Sequence, residues 1–94
     1  MAYSTNSPPA LISQRVGTNG LALWMYDSAD AAAVVRVSGY ITNGDDLGMK
    51  VGDTVIQGDS AGASVSHMYA VVSVAAGGAA DLSDGTAIVA TDTD

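Results

Sequence analysis

Apolar and polar residues alternate with a period of two along much of this chain, which is the pattern of β-strands. The longest alternating stretch covers residues 64–74 and is rich in valine. Residues 21–26 carry large apolar side chains at both odd and even positions, so the pattern predicts a strand that is buried on both faces. Shorter strands are predicted over residues 54–57, 79–82 and 86–90.

Turn signals separate these strands at intervals typical of small β-sandwiches and barrels. Asn43-Gly44 favours a tight turn, and Asp84-Gly85 predicts a hairpin between the last two strands. The alanines of residues 29–37 favour one short helix, although the valines of the same segment would also suit a strand. The pattern therefore predicts a mainly β fold, namely a small antiparallel β-barrel or sandwich with an extended N-terminal arm and at most one short helix.

The chain is predicted to have three parts: an extended N-terminal arm over residues 1–20, a small β domain over residues 21–90 and a polar tail over residues 91–94. Pro8-Pro9 favours an extended course for the arm, and Leu11-Ile12 is an apolar pair in an otherwise polar stretch. Two interpretations of the arm stay open. It is either a strap that docks on a neighbouring molecule or a disordered terminus.

Composition narrows the class of protein. The 94 residues form one small domain with a thin core, because much of the apolar content is alanine and there is one tryptophan and no phenylalanine. No cysteine is present to form a disulfide, so contacts between subunits are the remaining source of stability and we expect a homo-oligomer. The net charge of −7 disfavours nucleic acid and anionic membranes as partners. No apolar run approaches the ~20 residues of a membrane span.

Residues 58–62 read Gly-Asp-Ser-Ala-Gly and match the G-x-S-x-G pattern of a serine hydrolase nucleophile elbow. An elbow needs a helix after the serine, but residues 63–74 alternate like a strand. The only histidine, His67, would lie about 23 Å from Ser60 along a straight strand, and no hairpin turn is evident between them. The sequence therefore favours a loop without a catalytic role, and it predicts neither an enzyme nor a cofactor.

The acidic turn after Thr42 raises the question of a cation site. An EF-hand loop needs a bidentate glutamate at its twelfth position, and the chain contains no glutamate. A weak cation site at Asp45 and Asp46 stays open beside the alternative that these carboxylates are solvated or cap a helix. No other metal site is predicted, because His67 has no cysteine, glutamate or second histidine to complete one.

The order of short motifs along the chain carries a family resemblance. Its most specific part is the pair Ser38-Gly-Tyr-Ile41 and Leu47-Gly-Met-Lys-Val-Gly-Asp53. Before this pair come Ser7-Pro-Pro-Ala-Leu-Ile12, Leu23-Trp-Met-Tyr26 and Ser28-Ala-Asp30, and after it comes the valine-rich stretch from Ser64. Over nearly its whole length the chain resembles the small head decoration, or cement, proteins of tailed bacteriophages. No catalytic residue comes with this resemblance.

The resemblance implies a non-enzymatic viral structural protein on the exterior of the virion. Such a protein would bind the major capsid protein on the outer surface of the phage head and stabilise the shell, as a homo-oligomer with a trimer favoured. We expect the partner or subunit contacts to come from the arm and from two aromatic residues of the first long strand: Pro8, Pro9, Leu11, Ile12, Trp24 and Tyr26.

Three other functions are weighed against this one. A tail, fibre or head–tail connector component would also be viral, but it would be present in far fewer copies per particle. A hydrolase that uses Ser60 would react with a fluorophosphonate. A carbohydrate-binding module would need several exposed aromatic side chains, and the chain has one tryptophan and four tyrosines to supply them.

Overall fold

The computed structural model describes residues 3–15, 20–63 and 65–89, and within these ranges it contains six strands and two one-turn helices. In chain order the elements are β1 (Ala10–Ser13), β2 (Leu23–Asp27), α1 (Ala32–Val35), α2 (Gly44–Leu47), β3 (Thr54–Gly58), β4 (Ser66–Val74), β5 (Ala80–Leu82) and β6 (Thr86–Ala87). The mainly β class expected from the alternation is confirmed. There are two short helices where the sequence predicts at most one, because the turn after Asn43 is helical. The predicted tail, residues 91–94, lies outside the described residues.

The strands form one mixed sheet in the order β1-β2-β3-β4-β5, and β6 pairs with β4 as well. The expectation of an antiparallel sheet holds for every pair except β2 and β3. These two strands run parallel because the chain crosses between them through α1 and α2. The hairpin predicted at Asp84-Gly85 does not form, since β5 and β6 both pair with β4 and not with each other in the described part of the chain.

The sheet is open, so the architecture is sandwich-like and not a barrel. β1 and β5 lie at the two ends of the strand order and, among the residues described, do not pair with each other. The second layer consists of α1, α2 and their connecting loops, which we call the covering layer (residues 28–50). The core lies between this layer and the sheet, and its buried apolar residues are Ala22, Trp24, Tyr26, Val35, Ile41, Met49, Val55, Tyr69, Val71, Ala80 and Leu82.

β2 is buried on one face only, which corrects the expectation that residues 21–26 are buried on both. Trp24 is 3% exposed, whereas Met25 on the opposite face is 46% exposed. The covering layer packs against one side of the sheet, and no described residue covers the other side to the same degree. Alternation along a strand reports which side chains share a face, but it does not report whether a second layer exists.

A buried glutamine joins the covering layer to the sheet. The side-chain amide of Gln57 donates to the backbone carbonyl oxygens of Ser28 and Asp30, at 2.9 and 2.8 Å. Its carbonyl oxygen accepts a 2.5 Å hydrogen bond from the Tyr69 hydroxyl. Because a buried amide without partners would be costly, these three bonds fix the loop after β2 against β3 and β4.

Helix α2 packs directly against β5 at a glycine. Ile41, three residues before the start of α2, forms an isolated bridge with Ala80, and the Asp45 amide donates to the carbonyl oxygen of Gly78. A Cβ atom added at Gly44 would lie 2.3 Å from the Cβ of Ala80, well inside contact distance. Glycine is therefore required at position 44 for close approach.

We predict that Gly44→Ala lowers the free energy of unfolding by about 1–3 kcal/mol, because the added methyl group forces α2 away from β5. The matched control is Gly58→Ala, since a Cβ at Gly58 would meet no atom within 4 Å. Urea unfolding of both variants measures the difference. Equal stability of the two variants would show that α2 does not pack on β5 as described.

Candidate functional site

The N-terminal arm is part of the folded domain over its described residues. Strand β1 extends the sheet, with Leu11 opposite Trp24 of β2. The ring of Tyr3 packs against Tyr26 and Tyr40, with centroid distances of 6.1 and 5.6 Å. The Tyr3 hydroxyl donates a 2.5 Å hydrogen bond to the side-chain oxygen of Asn43. The arm therefore contributes to the sheet and to the core of its own chain.

A buried carboxylate holds the arm at Arg15. Asp53 has no exposed surface, and Arg15 donates to both of its carboxylate oxygens at 2.8 Å. The same carboxylate accepts hydrogen bonds from the indole of Trp24 at 3.0 Å and from the backbone amides of Ala22 and Lys50, both at 3.1 Å. These five residues form what we call the Asp53 cluster. It joins the arm, the start of β2 and the turn that leads into β3.

Asp53 is ionised because its partners outweigh its burial. Removal from water alone would raise the pKa of the carboxyl group. The hydrogen bonds from Arg15, Trp24 and the two backbone amides act in the opposite direction, and they hold the pKa of Asp53 well below its ordinary value. The bond from the Lys50 amide closes the turn that leads into β3. The other partners are distant in sequence, so no local pattern points to them.

The residues expected to contact a partner fall into three groups by exposure. Trp24 and Tyr26 belong to the core, and Pro9 is buried as well, so these three side chains offer almost no surface to another molecule. Pro8 is half-buried. Leu11 and Ile12 are exposed on the edge strand β1 and remain available for contact.

The Ser60 loop closes a hairpin, which the sequence did not indicate. Gly58 of β3 lies opposite Ser66 of β4, so the segment between these strands folds back on itself. The hydroxyl of Ser60 donates a 2.5 Å hydrogen bond to the carboxylate of Asp27, and the Ser60 amide donates to the other carboxylate oxygen at 2.9 Å. The ring of the only histidine, His67, lies beside that of Tyr69, with 5.0 Å between the ring centroids.

The geometry around Ser60 is that of an anchored loop. The hydroxyl and amide bonds from Ser60 lower the pKa of Asp27, so this carboxylate is a weaker base than an ordinary aspartate. A nucleophilic serine needs a base that accepts its proton and is itself oriented by a third group. Asp27 instead fastens the loop to the end of β2.

The acidic turn at α2 is also used structurally. The Asp45 carboxylate accepts a 2.6 Å hydrogen bond from the Gly77 amide, which links α2 to the loop before β5. Within the described ranges, no three acidic, histidine or cysteine side chains are grouped so that they could hold a metal ion. Neither of the two described helices is long and apolar enough to cross a membrane.

The face of the sheet away from the core is mainly apolar, and the described residues leave much of it exposed. Two rows of residues in register cross it from β1 to β4: Ala10, Met25, Ile56 and Met68 in one, and Ser13, Leu23, Thr54 and Ala70 in the other. Val72 continues β4 beyond them and is 49% exposed, while Met68 is 42% exposed. We call this surface, the two rows with Val72, the open face.

The sequence-based expectations did not include the open face. Alternation along residues 64–74 does place Met68, Ala70 and Val72 on one side of a strand. What it cannot show is that the covering layer lies on the opposite side. The length of the segments between the strands is the one signal for it in the sequence. These segments contain enough residues to cover one side of the sheet but not both.

No protein-family model, no curated protein and no solved structure matches the chain.

We predict that Asp53→Asn lowers the free energy of unfolding by about 3 kcal/mol, because it leaves the Arg15 guanidinium beside a neutral group in a buried site. The exposed Asp46 provides the matched control, and Asp46→Asn should change stability by less than about 0.5 kcal/mol. Urea unfolding at neutral pH measures both. Similar values for the two variants would contradict the role given to the Asp53 cluster.

The same cluster predicts how stability depends on acid. The folded-state pKa of Asp53 is depressed, so its contribution is complete above the unfolded-state value of about 4 and is lost as pH falls towards the folded-state value. Unfolding curves recorded between about pH 5 and pH 2 should therefore show a steep loss of stability for the native chain and a shallower one for Asp53→Asn. If the free energy of unfolding fell equally with pH in both proteins, carboxylates other than Asp53 would account for the acid dependence.

We predict that a fluorophosphonate leaves Ser60 unlabelled, because its hydroxyl proton is directed to the weakly basic carboxylate of Asp27. Mass spectrometry after incubation with the probe measures this, with a known serine hydrolase as the positive control. Labelling that disappears in Ser60→Ala would restore the hydrolase interpretation.

Proposed function

We propose that this chain is a non-enzymatic viral structural protein that decorates the outside of a tailed-phage head and stabilises the shell. Its partner in this proposal is the major capsid protein. The observation that supports it best is the open face, an apolar side of the sheet that the described residues leave uncovered. A domain whose sheet has one uncovered apolar side gains stability when that side attaches to a larger surface.

The size of the open face fits attachment. The four strands of the open face, about 4.8 Å apart, cover a width of about 19 Å, and its two rows, about 7 Å apart along the strands, cover about 14 Å. The product is roughly 300 Å², which is at the lower end of the range of the largest apolar patches on monomeric proteins, and such patches are often functional. An isolated methionine on a surface needs no explanation, but the exposed Met25 and Met68, in one row with the half-buried Ile56 between them, do.

The chemistry of the described residues supports a binding role over a catalytic one. Ser60 and Asp27 hold a loop, Asp53 holds the arm, and Asp45 holds α2 against the loop before β5. These polar groups are thus engaged in structural bonds. The net charge of −7 keeps such a protein soluble before it attaches.

The oligomeric form of the proposal is a homo-oligomer, with a trimer favoured as the resemblance implies. Leu11 and Ile12, exposed on the edge strand β1, are the residues from the expected contact set that remain available for it. Contacts through β1 would leave the open face free for the shell. A shell-binding trimer would then present three open faces to one capsid lattice, which raises its avidity above the affinity of one face.

We predict that Met68→Gln weakens attachment to shells about tenfold, because a polar amide replaces an apolar group in the contact. Co-sedimentation with shells assembled without this chain measures the affinity, and the number of copies bound separates decoration, with hundreds of copies per particle, from a connector or fibre.

A matched pair of substitutions controls for general effects of polarity. Val72 lies on the open face, while Val37, which is 55% exposed, follows α1 in the covering layer. Val72→Thr should weaken attachment two- to fivefold, and the identical change Val37→Thr should leave it unchanged. Equal binding by both variants would show that the open face is not the attachment surface, and the absence of any binding by the native chain would refute the proposed function.

A further inference from the structure

The open face is flanked by carboxylates. Asp27 follows Met25 on the same side of β2, one row beyond the apolar residues. Asp59 begins the next loop, near enough for its charge to act on Asp27. Together they border a depression of about 380 Å³ whose wall includes Met25 and Ser60. On the opposite flank, Asp81 alternates with the buried Ala80 and Leu82 of β5, which places it on the side of the open face.

The cations of the described chain lie elsewhere. Arg15 is bound to Asp53 on the core side of the sheet. Lys50 lines a pocket on that same side, together with Trp24 and Leu47. Arg36 follows α1, and its Nε atom lies 3.9 Å from the Oδ1 atom of Asp84. Among the residues described, the open face therefore combines an apolar centre with acidic flanks and no basic side chain.

This charge pattern disfavours a second copy of the chain as the occupant of the open face. Two copies each carry a net charge of −7 and would bring carboxylate flanks together. The area is also too small, since roughly 300 Å² is well below the 800 Å² or so that each partner buries in a stable interface of standard size. An opposite charge on the partner would add attraction where the apolar area alone is insufficient.

We propose that the open face docks on a protein surface that has an apolar ridge flanked by lysine or arginine side chains. Met25 and Met68 lie against the ridge, because unbranched methionine side chains adapt to an irregular apolar surface. Asp27 and Asp59 on one flank and Asp81 on the other meet the basic side chains. This inference rests on the proposed function and names the chemistry that the contacted part of the shell must have.

Two peptide probes test the chemistry directly. Amphipathic helical peptides of about 14 residues, one of leucine and lysine and one of leucine and glutamate, are about 21 Å long and match the width of the open face. In the chain labelled at its methionine methyl groups, the leucine–lysine peptide should shift the signals of Met25 and Met68. The signal of Met49, which is buried in the covering layer, should not move. The leucine–glutamate peptide should bind at least about tenfold more weakly.

Matched charge variants separate local docking from general attraction to an acidic protein. Asp81→Asn and Asp46→Asn each remove one negative charge, but Asp46 lies on α2 in the covering layer. Asp81→Asn should weaken binding of the leucine–lysine peptide two- to fivefold, whereas Asp46→Asn should leave it unchanged. The affinity of the native chain should also fall severalfold between about 50 and about 300 mM salt.

Three results would overturn the inference: equal binding of the two peptides, equal effects of the two charge variants, or methyl shifts of Met25 and Met68 that depend on protein concentration alone. The last result would identify a second copy as the occupant. Shell co-sedimentation distinguishes failure here from failure of the proposed function. Shells that bind the native chain, Asp81→Asn and Asp46→Asn equally would refute the basic partner while the shell-binding function stands.

Discussion

The carboxylate of Asp53 is the point at which the separate parts of this small fold meet. It accepts five hydrogen bonds, from Arg15, Trp24 and the backbone amides of Ala22 and Lys50. A buried charge without partners is strongly destabilising, so the arm, the start of β2 and the turn before β3 must be in place together. The parallel pairing of β2 with β3 begins immediately beside this carboxylate, since the Thr54 amide donates to the carbonyl oxygen of Ala22. With Arg15 held there, β1 is positioned to extend the sheet.

This arrangement concentrates the stabilising contacts on one side of the sheet. The indole of Trp24, the amide of Gln57 and the ring of Tyr69 all point into the core, where the covering layer meets them. A chain of this length has enough residues for one such layer. The opposite side of the sheet keeps its methionines and aliphatic residues at the surface, so the feature that makes the fold possible also creates the surface that we assign to binding.

Alternation was enough to predict strands within residues 21–90, because a period of two depends only on the backbone and on neighbouring residues, but β1 lies in the arm and was not predicted. It placed strands at 54–57 and 64–74, close to β3 and β4. It could not predict that β2 and β3 are parallel, since the two one-turn helices that form the crossover are too short to show a helical period. The hairpin between β3 and β4 was missed because the Ser60 loop lacks the dipeptides of the tight hairpin turns.

The functional residues were harder to predict for a related reason. Trp24 and Tyr26 were expected at an interface because they are large and aromatic, yet such residues are equally suited to a core, and here the covering layer encloses them. Arg15 has no distinguishing signal in the sequence, because its partner Asp53 lies 38 residues away. Met25 and Met68 are exposed because the covering layer lies on one side of the sheet only, which alternation does not reveal. The burial of the two aromatic residues, the partner of Arg15 and the exposure of the methionines all depend on pairing between distant segments. A single sequence contains little information about such pairing.

Cryo-electron microscopy of decorated shells tests the assignment of the binding surface most directly. At a resolution that separates strands, each copy should lie with the open face, and hence Met25 and Met68, against the shell, and with the covering layer of α1 and α2 towards solvent. A copy attached through the covering layer, or shells that carry no density for this chain, would contradict the assignment.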